Sequence, residues 1–361
     1  MPKSIEEIAR DTGFSVTTIK LVANGQAKKY RISASTQQVV EDYIRRYGYV
    51  VNHAARSLRL RRTDTIGLVV PDISNAFFAR LMGELERLCR SRGLVLLTAS
   101  TYEDPAQEDL AVRSLWARGV DGMIVAPCQQ PNYSGVVGRK ARLGVVIIDR
   151  PYAGSRYATI ASDNFTGSLQ LTREILKEGG ARTAFLCANP ESPSIADRIR
   201  GFSAACLEEG VSEWRDLVFR TPEDDVSSGA KLLDRALGRD GDAPASFICS
   251  SLLVLEGATH QLKRRVGRIP AETIIGTFDD HPMLDFLPNR VLSVRQNEAA
   301  LAAAALERLL ERHGLADPPP PPIAVACELV RRGRPFDHAA VLQGPKQDAA
   351  VQETADGEPS A

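Results

Sequence analysis

Ser4-Ile5-Glu6-Glu7-Ile8-Ala9-Arg10-Asp11-Thr12-Gly13-Phe14-Ser15-Val16-Thr17-Thr18-Ile19-Lys20-Leu21-Val22-Ala23-Asn24-Gly25 has the pattern of two short helices around a glycine turn. Ser4 and Glu7 stand at capping-box spacing, the hydroxyl accepting from an early helix N–H while the carboxylate reaches back to the cap residue. Ile5, Ile8 and Ala9 share one side of the helix that follows. Its end is predicted at Asp11-Thr12-Gly13, where glycine supplies a positive φ. Ser15 predicts the cap of a second helix over 16–23, closed by Asn24-Gly25, and Ser33 that of a third through Tyr47. Val39, Val40, Tyr43 and Ile44 would close a small core over the first two helices. A second helix of this size, held by a glycine turn, suits the DNA major groove. The same pattern also serves an ordinary three-helix bundle, so the choice falls to the charge.

Residues 1–62 hold 12 Lys plus Arg against 5 Asp plus Glu, while the whole chain holds 45 of each. A head of net +7 thus precedes a remainder of net −7. That division is expected where one module displaces counterions from phosphates and the rest stays acidic. The cations crowd into Gln26-Ala27-Lys28-Lys29-Tyr30-Arg31, where such a motif runs beside the phosphate backbone. Val16, Thr17 and Lys20 lie at the start and on the outer face of the second helix, with Thr18, Ile19 and Val22 alternating with them. The predicted DNA contacts in the head are Ser15, Val16, Thr17, Thr18, Lys20, Leu21, Asn24, Lys28, Tyr30 and Arg31. Val16 can offer only contact with a thymine methyl, and Thr17 can bond a base edge or a phosphate. Few of these side chains can read a base bidentately, so specificity leans on dimer symmetry and DNA shape.

From Thr65 onward, β-branched runs alternate with helical stretches: 66–70, 94–98, 122–126, 145–148, 183–187, 246–249 and 273–277. Strands separated by helices mean parallel sheets in an α/β fold. The length exceeds one comfortable sheet, and a split near Ser162-Asp163 gives two halves of similar size. Ligands of such sheets sit beyond the carboxyl ends of the strands. Asp72 and Asn75, with Phe77 and Phe78 beside them, follow the first strand; Asp149 and Arg150 follow the fourth. Ser250-Ser251 and Asp279-Asp280 stand at later strand ends, and of the two adjacent aspartates one can cap a turn while the other points inward.

Tyr49 to Arg59, with Asn52, His53, Ala55 and Leu58, followed by Thr65-Ile66-Gly67-Leu68-Val69-Val70-Pro71, completes an order of parts that resembles the LacI/GalR family of sugar-responsive repressors. The resemblance runs from Ser4 to about Arg334. It implies an N-terminal all-α helix-turn-helix head (1–49), a hinge helix and linker (50–62) and a two-lobed α/β effector body like a periplasmic binding protein (63–336). It also implies that Asn52, His53, Ala55 and Leu58 meet the minor groove, Leu58 as an apolar wedge that unstacks a base step and permits a bend. Residues 24–33, 277–281 and 284–288 are similar to the fructose-repressor branch, although Leu21 replaces its usual tyrosine and His281 its asparagine. By that resemblance the effector is a phosphorylated sugar, fructose 1-phosphate, with another sugar or a nucleobase as the alternative. Arg198, in an Arg-x-x-Gly pattern, and Arg150 would hold the anion, because a guanidinium fork binds phosphate oxygens bidentately. Asp280 would accept the sugar hydroxyls. Asp72, Asn75, Phe77, Phe78, Asp149 and Ser251 complete the expected effector site. The partners implied are a near-palindromic operator and a second copy of the chain, as homodimer or homotetramer.

There is no phosphate-binding loop, nucleophile elbow, His-Glu-x-x-His or Cys-x-x-Cys, so no catalytic residue, cofactor or metal site is expected. The six cysteines are scattered without ligand spacing, which suits a reducing compartment. No long apolar run is present, so neither export nor a membrane span is expected and the cytoplasm is the expected location. A sugar-binding receptor without a DNA role and a sugar-phosphate enzyme are the rival readings. Residues 337–361, polar and poor in large apolar side chains, read as a disordered tail.

Overall fold

The computed structural model describes residues 3–48, 62–136, 143–179, 182–237, 244–311 and 321–333. The hinge residues Asn52, His53, Ala55 and Leu58 and the polar tail lie outside them.

Helices α1 (Ile5–Thr12), α2 (Val16–Ala23) and α3 (Ala34–Tyr47) form the head. Local chemistry sets their ends. Ser4 Oγ accepts from the Glu7 amide at 3.2 Å while the Ser4 amide donates to Glu7 Oε2 at 2.7 Å, and Gly13 turns the chain at φ 76°. Ser15 and Ser33 each accept from the amide three residues on at 3.1 Å, as their positions predicted. Ile8, Ile19 and Val40 are fully buried at the centre, with Val22 and Ala27 around them. Two expectations fail by one step of helical rotation. Val39 is 50 % exposed, because α3 turns Val40, Tyr43 and Ile44 inward at i, i+3 and i+4. Val16, expected on the outer face, is half-buried against the head core.

In the body, β1 (Thr65–Val70), β2 (Val95–Ser100), β3 (Gly122–Val125), β4 (Gly144–Ile148) and β5 (Ala158–Ser162) build one sheet with α4 (Ala76–Ser91) and α5 (Pro105–Ala117). The chain then enters a second lobe. It comprises α6 (Asn164–Gly179), β6 (Thr183–Ala188), α7 (Pro193–Glu208), β7 (Val218–Thr221), α8 (Val226–Ala236), β8 (Ser246–Cys249), α9 (Leu252–Val266), β9 (Ile274–Phe278) and β10 (Val291–Arg295). Helix α10 (Glu298–Leu310) returns to the first lobe, where its Leu301, Ala302, Ala305, Leu306 and Leu309 join the core beneath β1 and β4. β11 (Ile323–Val325) then pairs with β5, and β12 (Glu328–Arg332) pairs antiparallel with β10. The six-stranded sheets run β11-β5-β4-β3-β1-β2 and β12-β10-β9-β8-β6-β7. The sequence pattern missed β5, β7, β10 and β12, and over 323–332 the chain leaves one sheet for the other. Strands of four or five residues carry little periodicity, and only pairing with distant partners identifies them.

Three crossings of the chain, after Ser162, at Gln296-Asn297 and at Ala326-Cys327, join the lobes. All pairings but that of β12 are parallel, so within each lobe the strands present their carboxyl ends along one edge.

Candidate effector cleft and DNA-binding face

The cleft lies at those strand ends. It is lined by Asn75, Phe77, Phe78, Asp149 and Arg150 from the first lobe and by Asn189, Ser192, Ser194, Ile195, Arg198, Asp224, Ser251 and Asp279 from the second, with Gln296 at a crossing. The cavity it leaves is about 50 Å³, far below the roughly 300–1,000 Å³ of small-ligand sites. The lobes touch across it, Ser194 Oγ donating to the Asp149 carbonyl at 2.6 Å. A sugar can therefore enter only when the lobes part.

Three of its polar residues are left-handed non-glycines placed just after a strand: Asp149 at φ 70°, Asn189 at 49° and Asp279 at 66°. Asp and Asn tolerate that region best, and here it swings each residue out of its strand toward the opposite lobe. This local bend corrects the expectation for Asp280. Asp279 lines the cleft, where Gln296 Nε2 donates to it at 2.6 Å. Asp280 turns the other way and accepts from Ser293 Oγ and from the Arg295 and Arg332 guanidinium groups, each at 2.7 Å. Burial works to raise the Asp280 carboxyl, but those hydrogen bonds and the charge of Arg332 prevail and hold it down at about 2. Asp72 is also absent from the lining, since its carboxylate caps its own turn by accepting from the Ser74 amide and hydroxyl at 2.8 Å.

Arg198 is the cation of the cleft without a carboxylate partner among the described residues. It is 4 % exposed, its Nε donates to Asn164 Oδ1 at 2.8 Å and its Nη1 to the Ser250 carbonyl at 2.6 Å. The guanidinium stacks on Phe278 with its carbon 4.0 Å from the ring centroid. The glycine of Arg-x-x-Gly has its own reason: a Cβ on Gly201 would meet the Phe165 carbonyl oxygen at 2.4 Å, so α7 approaches α6 closely only without a side chain there. That approach also lets Ser168 Oγ donate to the Arg198 carbonyl at 2.6 Å.

Arg150 is engaged differently from the expectation. Glu103 grips both of its terminal nitrogens, and Nη1 also reaches the Pro127 carbonyl at 3.2 Å. Burial opposes the charge, but Glu103 outweighs it and keeps the guanidinium more firmly protonated than an ordinary arginine. Of the two arginines expected to await an anion, Arg198 is held by neutral partners only and Arg150 is already paired with a carboxylate. Burial also pushes the Asp149 carboxyl up to about 6 against the pull of Arg150 and Arg198, and it raises Asp224, which accepts from Ser251 Oγ at 2.6 Å. Such carboxyls suit sugar hydroxyls, as donors when protonated and acceptors when ionised. Sequence reasoning missed Asn189, Ser192, Ser194, Ile195, Asp224, Gln296 and Glu103, and of the adjacent aspartates it assigned Asp280 where Asp279 lines the cleft. For the Asn and Asp residues, position just after a strand was the available signal.

A wider groove of about 530 Å³ lies between α4 and the residues after β10. Its charged walls are already paired, Arg80 with Glu298 and Arg295 with Glu328 and Asp280.

On the head, Ser15, Thr17, Lys20, Asn24, Lys28, Tyr30 and Arg31 are exposed, while Val16, Thr18 and Leu21 are half-buried. The Thr18 hydroxyl is taken up by Ser15 Oγ at 2.8 Å. Lys20 on α2 and Lys28 and Arg31 in the following turn carry no ion pair among the described residues, which leaves their charge for phosphates.

A helix-turn-helix head joined to a two-lobed body that closes on a polar cleft defines a ligand-responsive transcription regulator. Residues 63–308 match the family described as periplasmic binding proteins and sugar binding domain of LacI family, and the chain belongs to that family. It is 32 % identical over 302 residues to the sucrose operon repressor of Klebsiella pneumoniae, covering 83 % of this chain and 89 % of that one. It is 32 % identical over 333 residues to the catabolite repressor/activator of Salmonella typhimurium, covering 91 % of this chain and 98 % of the relative. The crystal structure of the Cra transcriptional dual regulator from Pseudomonas putida in complex with fructose 1-phosphate superposes with a TM-score of 0.66 at 27 % identity, covering 76 % of this chain and all of the other. The chain is a sugar-responsive DNA-binding regulator. No described helix is long and apolar enough to cross a membrane.

Proposed function

We propose that this regulator binds a phosphorylated sugar, fructose 1-phosphate, in the cleft between its lobes and is thereby released from a near-palindromic operator. The observation that carries the reading is Arg198, buried, stacked on Phe278 and without a carboxylate partner among the described residues. A buried guanidinium whose hydrogen-bond partners are all neutral has a reason to take an anion from a ligand. Asp149, Asp224, Asp279 and Asn189 supply hydroxyl partners, and Phe77 and Phe78 cover apolar sugar faces. The complex of the Pseudomonas putida relative with fructose 1-phosphate supports the choice of ligand.

The regulator acts as a homodimer or homotetramer in the cytoplasm, without catalysis. Effector binding changes the lobe arrangement next to residues 50–62, where the resemblance places the paired hinge helices, and so shifts the population away from the operator-binding state. Ser15, Thr17, Lys20, Asn24, Lys28, Tyr30 and Arg31 meet the half-sites in the head, and Asn52, His53, Ala55 and Leu58 the minor groove between them.

The test is operator binding at one fixed salt concentration, titrated with fructose 1-phosphate, fructose 1,6-bisphosphate, fructose and sucrose. Release by fructose 1-phosphate at the lowest concentration, lost in Arg198→Lys with operator affinity kept, is the expected result. Release by sucrose alone, or equal release of the lysine variant, refutes the assignment.

A further inference from the structure

We infer that Glu103 is a built-in counter-anion: it holds the fork of Arg150 in place of a ligand anion, and an incoming anion must displace it to use that fork. The affinity of the cleft for anions is then set in part by a residue outside its lining. This rests on the reading of the cleft as the effector site, although the competition itself concerns any anion.

Four observations carry it. The two partners are unequally fixed: the Arg150 side chain is 7 % exposed and that of Glu103 40 %. Glu103 can withdraw into water at little cost, whereas Arg150 cannot, and a buried cation stripped of its partner is strongly unfavourable. An exchange of anions avoids that penalty, because Arg150 stays paired throughout.

The loop that presents Glu103 is held in an uncommon shape. Tyr102 and Glu103 are consecutive left-handed non-glycines, at φ 53° and 59°, between β2 and the Asp104 cap of α5. Neither is Asn, Asp or Gly, the residues that adopt this region readily, so the backbone shape that brings Glu103 to Arg150 is itself costly.

Glu103 also leaves the fork incompletely satisfied. Its carboxylate takes Nη1 and Nη2, while the buried Nε of Arg150 makes no hydrogen bond and has only the Asp149 carboxylate 3.7 Å away. A buried donor left unpaired favours any acceptor that reaches it.

Finally, the local charge is unsuited to an anion while Glu103 stays. Asp149, Asp224 and Asp279 face Arg150 and Arg198 in the lining, and Glu103 makes four acids against two bases. Its departure removes one of those acids and frees one of the forks in a single step.

The experiment uses the full chain and Glu103→Gln, which keeps the shape and removes the charge, with isothermal titration of fructose 1-phosphate, inorganic phosphate and fructose. Both phosphates should bind the variant at least about tenfold tighter than the wild type, about 1.4 kcal/mol, with fructose unchanged to within about twofold. Glu103→Asp, one methylene shorter and still charged, should fall between them, and it serves as the second variant where Glu103→Gln does not fold. Unchanged anion affinity in both variants overturns the proposal, and so does weaker binding, which would make Glu103 a positioning residue for Arg150. A wild type that takes up no sugar phosphate, beside a variant that gains inorganic phosphate, refutes fructose 1-phosphate as effector and leaves the role of Glu103 standing.

Discussion

Replacing Gly201 by alanine should damage effector binding through helix packing alone. The added Cβ would lie 2.4 Å from the Phe165 carbonyl oxygen, 2.7 Å from Ser168 Cβ and 2.9 Å from the Leu169 amide nitrogen. These are mostly backbone atoms of α6, which cannot rotate aside, so α7 must retreat by roughly 1 Å to restore ordinary contact. Overpacking of this kind costs about 1–3 kcal/mol, offset by about 1 kcal/mol because alanine favours the helix over glycine. The net loss of stability is therefore small, at most about 2 kcal/mol. The functional loss is larger. Arg198 lies three residues before Gly201, and its Nε bond to Asn164 at 2.8 Å and the Ser168 Oγ bond to its carbonyl at 2.6 Å both cross the same helix contact. A retreat of that size takes both beyond hydrogen-bonding range and moves the guanidinium off its ligand position. The loss of one charge-assisted bond, about 1.5–3 kcal/mol, lowers effector affinity at least about tenfold. Urea unfolding and effector titration of the same preparation would read the two effects separately. Wild-type effector affinity in a folded Gly201→Ala variant would refute the reasoning.

Three further outcomes follow from other sites. Asp149 is raised by burial from 3.8 to about 6, so its contribution to stability is full below its unfolded value and is lost as pH climbs through the folded one. Asp149→Asn, which tolerates the same left-handed φ, should match the wild type in urea unfolding near about pH 4 and exceed it by up to about 3 kcal/mol near about pH 8. An advantage independent of pH would count against a buried, neutralised carboxyl. Asp280 is lowered to about 2 by Ser293, Arg332 and Arg295 against the effect of burial, so its stabilisation holds above 3.8 and fades as pH falls through the folded value. Asp280→Asn should cost about 2–3 kcal/mol at neutral pH and almost nothing near about pH 2, with effector specificity unaltered once folded; a variant that changes the preferred sugar would return Asp280 to the cleft. In the head, Lys28→Ala and Arg31→Ala should each reduce the slope of log operator affinity against log salt by about 1, with sequence preference kept. An unchanged slope would remove that residue from the phosphate contacts.

What the sequence determined by itself was local. Ser4, Glu7, Gly13, Ser15 and Ser33 fix the ends of the three head helices, because a cap and its partner lie within four residues and their geometry follows from spacing alone. The division of charge marked the head as the DNA module, and the alternation of β-branched runs with helices marked the body as α/β. The Arg-x-x-Gly pattern located Arg198, because resemblance carries over a residue with its motif. Tertiary structure decided the rest. Whether Asp279 or Asp280 enters the cleft turns on a single left-handed residue after β9, and adjacent aspartates look alike in sequence. Val39 and Val40 differ by one step of rotation, settled only when α3 meets α1 and α2. That Arg150 is already paired depends on Glu103, forty-seven residues away, and Asp224 and Gln296 reach the cleft from β7 and β10, strands with no readable period. Contacts made across such distances exist only after two sheets have formed and closed on each other, so no window of sequence contains them.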